Sequence, residues 1–265
     1  MHPMLNIAVR AARAAGSVIT RGYENRDDLD IQSKGAQDYV TKIDKEAELT
    51  IIEKIKKSYP DHAFIGEEGG RVEGNNEFVW VIDPLDGTSN FIAGIPHFAV
   101  SIALLHKGKL DQGVVFDPIR GELFAATKGS GAQLNGYRLR CSKAKDLSNT
   151  ILATAIPFRD KSNLDADLAN FAKVFKDAGD VRRSGSAALD LAYVAAGRYD
   201  GYWEKGLQSW DMAAGELLVK EAGGLVTDYA GNNDPLYDEI KQAGSSNGIV
   251  AGNPRVVQNI VKRIK

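Results

Sequence analysis

The run Phe78-Val79-Trp80-Val81-Ile82 ends abruptly in Asp83-Pro84-Leu85-Asp86-Gly87-Thr88, and this junction constrains the chain more than any other stretch. Apolar, β-branched and aromatic residues in succession read as a strand. Two acids leave its end together. Pro84 removes a backbone donor and fixes φ, while Asp86-Gly87 favours a turn, so both carboxylates and the Leu85 carbonyl can face one point. Asp-Gly is equally an ordinary hairpin-turn signal. On these residues alone, a plain turn and an oxygen-lined site both stand.

Acids elsewhere bear on the choice. Glu67-Glu68 follows the strand-like Ala63-Phe64-Ile65, and Asp211 follows Trp210 at the start of a helix. Taken singly, each suits a solvated face. Unit charges about 4 Å apart interact by about 4 kcal/mol at an effective dielectric of about 20, so converging acids need a cation to offset their repulsion. Oxygen-only ligands favour Mg²⁺ over zinc. No other constellation competes: His2, His62, His97 and His106 lack HExxH spacing, and Ser184-Gly185-Ser186 is not a nucleophile elbow. Cys141 is the single cysteine, which excludes an internal disulfide or a multi-cysteine metal site and fits a reducing compartment.

The 265 residues carry 33 Lys+Arg against 35 Asp+Glu, a formal charge of −2, so no broad positive field exists to hold nucleic acid or an anionic membrane. No apolar run of about 18 residues appears, and Arg10, Arg13 and Arg21 interrupt the N-terminal stretch; a cytoplasmic location is expected. Leu5, Ala8, Val9, Ala12, Ala15 and Ile19 form the stripe of a first helix. Thr41 caps a second with Asp44 at its third position, and Ala47, Ile51 and Ile55 repeat until Tyr59-Pro60. Strands are predicted at Phe98 to Leu104, Gly113 to Phe116 and Leu123 to Ala126. Strands at Ile151 to Ala155, near Val181, and at Gly201 to Trp203, Leu225 to Asp228 and Ile249-Val250 then alternate with helices within Asp165 to Ala178, at Ala187 to Ala196 and at Met212 to Ala222. Asn253-Pro254 opens a basic last helix, and Gly231 to Gly248 reads as loop. A packing boundary near Ser142 to Asn149 divides one compact unit into halves 1–145 and 146–265.

Two separated signatures resemble the inositol monophosphatase family of Mg²⁺-dependent, lithium-sensitive phosphatases. They are Trp80-Val81-Ile82-Asp83-Pro84-Leu85-Asp86-Gly87-Thr88-Ser89-Asn90-Phe91 and Trp210-Asp211-Met212-Ala213-Ala214-Gly215-Glu216-Leu217-Leu218-Val219-Lys220-Glu221-Ala222-Gly223-Gly224, with Gly66-Glu67-Glu68 ahead of both. The resemblance covers nearly the whole chain, and Met1-His2-Pro3-Met4-Leu5-Asn6 looks like the bacterial SuhB-like branch. It implies an α/β (α+β) layered αβαβα sandwich of the inositol monophosphatase / fructose bisphosphatase type, commonly a homodimer. It also implies hydrolysis of inositol 1-phosphate or similar small polyol phosphates by metal-activated water. The metal ligands it implies are Glu67, Asp83, the Leu85 carbonyl, Asp86 and Asp211, with Asp83 bridging two ions. Asp44 and Thr88, with Glu67, match the groups that position and activate the attacking water. Asp44 also reads as a capping residue, and Thr88 as turn chemistry. Gly87 and Thr88 offer N–H groups to phosphate. Gly185, Ser186 and Ala187 match the segment contacting inositol hydroxyls, and Glu204 the acid that accepts from a substrate hydroxyl; by itself Glu204 reads equally as a surface carboxylate.

Within the same chemistry the alternatives are a fructose 1,6-bisphosphatase or a 3′-phosphoadenosine phosphatase, against which Ser184-Gly185-Ser186-Ala187 and Trp203-Glu204 favour the inositol branch. From another class, SuhB-branch relatives are associated with transcription antitermination. That implies contact with RNA polymerase or elongation factors, through Arg182-Arg183 or the last helix with Arg255, Lys262, Arg263 and Lys265; the charge balance gives no expectation of direct nucleic acid or membrane binding. Otherwise these cations are a solvated face. Gly69-Gly70 stands where many relatives have Ser after the second Glu, and 160–168 and 231–248 match no family motif.

Overall fold

The structure, a computed structural model, describes residues 2–25, 31–35, 38–157, 161–233 and 248–264. Helices α1 (Pro3–Glu24) and α2 (Lys42–Lys56) flank a backbone hairpin, β1 (Ile31–Gly35) and β2 (Asp38–Thr41). The predicted stripe of α1 is the face it buries, from Leu5 to Ile19. α2 starts on the expected capping box: Thr41 accepts from the Ile43 N–H at 3.1 Å, and Asp44 accepts from the Thr41 N–H at 2.9 Å.

Both helices cover one face of a sheet of β3 (His62–Gly66), β4 (Gly70–Val72), β5 (Asn75–Asp86), β6 (Ala99–His106), β7 (Lys109–Asp117), β8 (Glu122–Thr127), β9 (Gly131–Leu134) and β10 (Tyr137–Arg138), with α3 (Thr88–Ala93) after β5. The strand order is β10-β9-β8-β7-β6-β5-β3-β4, antiparallel except for β3 beside β5. The apolar run of β5 is continuous because both faces are covered. Trp80 and Ile82 pack toward α1 and α2, while Val79 and Val81 pack toward the molecular centre. Trp80 is fully buried, yet its indole N–H is satisfied by His62 Nδ1 at 3.0 Å.

The second sheet holds β11 (Ile151–Thr154), β12 (Asp180–Arg182), β13 (Gly201–Glu204), β14 (Leu225–Thr227) and β15 (Ile249–Gly252), in the order β12-β11-β13-β15-β14. Helices α5 (Ala187–Ala195) and α6 (Ser209–Glu221) fill the space between the sheets, and α4 (Leu164–Phe175) and α7 (Pro254–Ile264) cover the outer face. The layers are therefore αβαβα. Asn253 caps α7 as expected, accepting from the Arg255 N–H at 2.9 Å. Of the expected loop at 231–248, residues 234–247 lie outside the described residues, as do Asp160 and Lys265.

Candidate active site

The acid-bearing segment is not a turn that follows a finished strand. β5 runs through it to Asp86, and its pairing with β6 slips between Asp83, opposite Ser101, and Asp86, opposite Ala99. Three steps along β5 match two along β6, so one extra residue is taken up as a bulge. In regular pleating Asp83 and Asp86 would face opposite ways; the extra residue lets both face one side. Pro84, with no N–H to donate, suits a position released from the ladder. Nor does Asp86-Gly87 close a hairpin. Gly87, at φ 98°, starts α3, and a Cβ there would stand 3.1 Å from the His97 carbonyl oxygen and 3.2 Å from that of Gly185. Left-handed backbone and close approach both demand glycine.

Asp83 and Asp211 are fixed by local backbone, and Asp86 by groups distant in the chain. Asp83, 1% exposed, accepts from the Leu85 N–H at 2.9 Å. Asp86 accepts from the Ser186 hydroxyl at 2.5 Å and the Ala188 N–H at 2.7 Å, which ties β5 to the start of α5. Asp211 accepts from the Gln208 N–H at 2.7 Å in the capping box of α6. The Ser101 hydroxyl donates to the Trp210 carbonyl at 3.0 Å, anchoring that helix start to β6. Asn90 donates to the His97 and Ser184 carbonyls at 2.7 and 2.9 Å, a second link between the two sheets' loops. The N-termini of α2, α5 and α6 thus hold Asp44, Asp86 and Asp211 respectively, at the end of a helix that favours negative charge.

Asp44 is both things its sequence position allowed. One oxygen caps α2, and the other lies 3.1 Å from the Thr88 hydroxyl, which is also 3.0 Å from the Leu85 carbonyl. Burial raises the Asp44 carboxyl, opposed by hydrogen bonds from Thr41 and Thr88. Burial likewise raises Asp83 well above the usual carboxylate range, and the charges of Glu67, Asp86 and Asp211 push the same way. Asp211 rises through burial and then Asp86, with Glu67 and Glu204 adding and the Gln208 N–H opposing. Glu67 is hydrogen-bonded to Asp83 through its side chain, and its N–H donates to the Ile82 carbonyl at 3.2 Å. The structure thus gathers Glu67, Asp83, Asp86 and Asp211 into one field. Among the described residues no three His, Cys, Asp or Glu side chains are drawn together tightly enough to hold a cation unaided.

Glu204 is not at the surface. It lies on β13, 8% exposed, with the Tyr202 hydroxyl donating to it. Ser186, expected within the segment that contacts the substrate, has its hydroxyl engaged by Asp86. Asp190 on α5 was not legible as a site residue: it is 1% exposed, its Oδ1 has no hydrogen-bond partner, and burial raises its carboxyl well above the ordinary range, with Glu204 and Asp86 adding and a Ser184 hydrogen bond opposing. An acid in a first helical turn gives no sign in sequence beyond a dipole partner. Arg182 pairs with Asp180, and Arg263 with Asp177 at 2.6 Å. Burial pushes the Cys141 thiol up to about 12, an unreactive thiol.

Residues 1–264 match the inositol monophosphatase family. The chain belongs to that family. The resemblance drawn from the two signatures is thereby borne out, as is the layered fold. Like the family's members it is a phosphatase. The chain is 55% identical over 266 residues to the Nus factor SuhB of Escherichia coli strain K12, covering 100% of this chain and 97% of that relative. The extragenic suppressor protein suhB from Bartonella henselae has a similar structure, with a TM-score of 0.94 and 42% identity over 100% of this chain and 99% of that one. The inositol monophosphatase from Anabaena (Nostoc) follows the same fold at a TM-score of 0.85 and 37% identity, over 98% of this chain and 94% of that one. No helix among the described residues is long and apolar enough to cross a membrane.

Proposed function

We propose that this phosphatase is a Mg²⁺-dependent, lithium-sensitive, cytoplasmic homodimer that hydrolyses inositol 1-phosphate or similar small polyol phosphates. The observation that carries the reading is the gathering of Glu67, Asp83, Asp86 and Asp211, two of them with carboxyls raised by burial and mutual repulsion, beside the Asp44–Thr88 contact. Such an arrangement fits a hard divalent cation, which relieves the repulsion and accepts only oxygen ligands. Mg²⁺ keeps several waters and takes few carboxylates, so the four acids and the Leu85 carbonyl would hold it together with water and without a closed protein cage. Asp83, on which the charges of all three other acids act, would serve as a shared ligand. When bound, the cations lower the pKa of water and neutralise charge on the phosphoryl group and the leaving oxygen.

The chain's own residues do the rest. Thr88 and Glu67 orient the attacking water, and Asp44 takes its proton through the Thr88 hydroxyl. The N–H groups of Gly87 and Thr88 hold phosphate oxygens. Glu204, held by Tyr202, accepts from a substrate hydroxyl, flanked by the backbone of Gly185, Ser186 and Ala187. Halves 1–145 and 146–265 meet at this site. The test is a turnover screen over inositol, glycerol, nucleotide and sugar phosphates with Mg²⁺. Activity confined to nucleotide or sugar bisphosphates would overturn the substrate class.

The relatives' designation as Nus factors favours a second role, contact with RNA polymerase or its elongation factors. A pull-down with those proteins checks it: Asp86→Asn should abolish turnover and leave retention intact, whereas charge reversal at Arg182-Arg183 or on α7 should do the opposite. Absence of retention by the wild-type chain would leave the enzyme reading alone.

A further inference from the structure

α2 carries a second buried acid that no motif singles out. Glu48 stands four residues after Asp44, so the two carboxylates share one face of the helix a turn apart. Glu48 is 3% exposed. Its Oε2 accepts from the Glu68 N–H at 3.0 Å and its Oε1 from the Gly69 N–H at 2.6 Å, one oxygen for each amide of the turn between β3 and β4. The turn is shaped to receive it: a Cβ on Gly66 would collide with Glu48 Oε2, and one on Gly69 would stand 2.8 Å from Oε1. On its other side the turn is tied to β5 by the Glu67 N–H. Glu67 therefore projects from a backbone gripped from two directions.

We propose that Glu48 is a positioning residue of the active site, its carboxylate clamping the amides just beyond Glu67 so that Glu67 faces Asp83. The same helix delivers Asp44 to Thr88, so α2 sets the spacing of the two acid-bearing segments. The proposal deepens, and rests on, the reading of Glu67 as a cation ligand. A carboxylate is required here because two N–H donors need two acceptor oxygens; glutamine keeps the shape but turns a donor against one of them. Groups that orient metal ligands are worth roughly 10–100-fold in metal affinity or activity.

The experiment compares the full-length wild type, Glu48→Gln and Glu67→Gln. Mg²⁺ is titrated against phosphate release and, alone, by calorimetry, and hydrogen exchange is followed at the Glu68 and Gly69 amides. For Glu48→Gln, half-saturating Mg²⁺ should rise about tenfold or more, with a smaller fall in kcat at saturating Mg²⁺, because Glu67 also orients the water, and with faster exchange confined to those amides. A folded Glu48→Gln protein with wild-type Mg²⁺ affinity, whatever its melting temperature, overturns the proposal. If Glu67→Gln shifts the affinity and Glu48→Gln does not, only the positioning role fails. If Glu67→Gln itself leaves the affinity unchanged, the ligand reading fails first. Should Glu48→Gln not fold, Glu48→Asp is judged by the same criterion, because it keeps the charge but is too short to reach both amides.

Discussion

Asp44→Asn separates the capping role of Asp44 from its chemical one. In the wild type one oxygen of Asp44 accepts from the Thr41 N–H at 2.9 Å and the Thr41 hydroxyl at 2.6 Å, and the other faces the Thr88 hydroxyl at 3.1 Å. An asparagine whose amide oxygen faces Thr41 keeps both capping bonds. Its NH₂ then faces Thr88 and reverses that contact, leaving the Thr88 proton to the Leu85 carbonyl 3.0 Å away. Charge-assisted bonds are worth about 1.5–3 kcal/mol against about 0.5–1.5 for neutral ones, and relief of a buried, raised carboxylate offsets part of that difference. The net cost should be about 1 kcal/mol or less, a few degrees in Tm for a chain of this size. Asp44→Ala, by contrast, strands the buried Thr41 N–H and loses the cap, for about 2–4 kcal/mol. Turnover should behave differently: with no carboxylate to take the Thr88 proton as a base, Asp44→Asn should lose about 10²–10⁴ in kcat. Urea unfolding and phosphate-release assays on the three proteins measure both quantities. A folded Asp44→Asn enzyme within about threefold of wild-type kcat would refute the proton path, and an asparagine as destabilising as alanine would refute the rotamer argument.

Asp83→Asn can retain the Leu85 N–H bond while removing one of four repelling carboxylates, so the metal-free variant should melt no lower than wild type. Its turnover at limiting Mg²⁺ should fall at least ~10–100-fold, and near-wild-type activity there would reject Asp83 as a shared ligand. Glu204→Gln should impair inositol phosphate turnover more than that of a substrate lacking the matching hydroxyl, since a buried partner is left mispaired; equal losses would remove Glu204 from the specificity argument. Glu216, wholly buried on α6, has its carboxyl raised by burial, with Lys220 opposing. A raised carboxyl supports the fold while protonated, and that support disappears as pH climbs from the ordinary carboxylate range through the folded value. Glu216→Gln should therefore gain on the wild type in urea midpoint as pH rises above the ordinary carboxylate range, and a gap that stays constant or narrows would contradict the sign.

Local chemistry made much of this protein readable. The stripe from Leu5 to Ile19, the Thr41–Asp44 box and the Asn253-Pro254 start depend on neighbours three or four positions away, so the helices and their caps follow from sequence spacing. The acid motifs, Glu67, Asp83-Pro84-Leu85-Asp86 and Asp211, were likewise visible as residue types at strand and helix ends. The short α3, the β1–β2 hairpin, β4 and the β9–β10 pair were not, since none carries an apolar run long enough to mark it.

What the tertiary structure alone decided is how those pieces face one another. The slip between β5 and β6 is a property of two strands paired across a sheet, and it turns an acid pair three residues apart toward one side. Whether Glu204 is a surface acid or a buried one, and whether Asp190 and Glu48 are more than helix-face charges, depends on which layers close over them. Burial and long-range hydrogen bonds, such as Asp86 to Ser186 or Glu48 to Gly69, join residues far apart in the chain. A sequence specifies the donors and acceptors, but only packing removes the water that would otherwise satisfy them, and that removal fixes the directions of these carboxylates and raises the carboxyls of Asp83, Asp190 and Asp211.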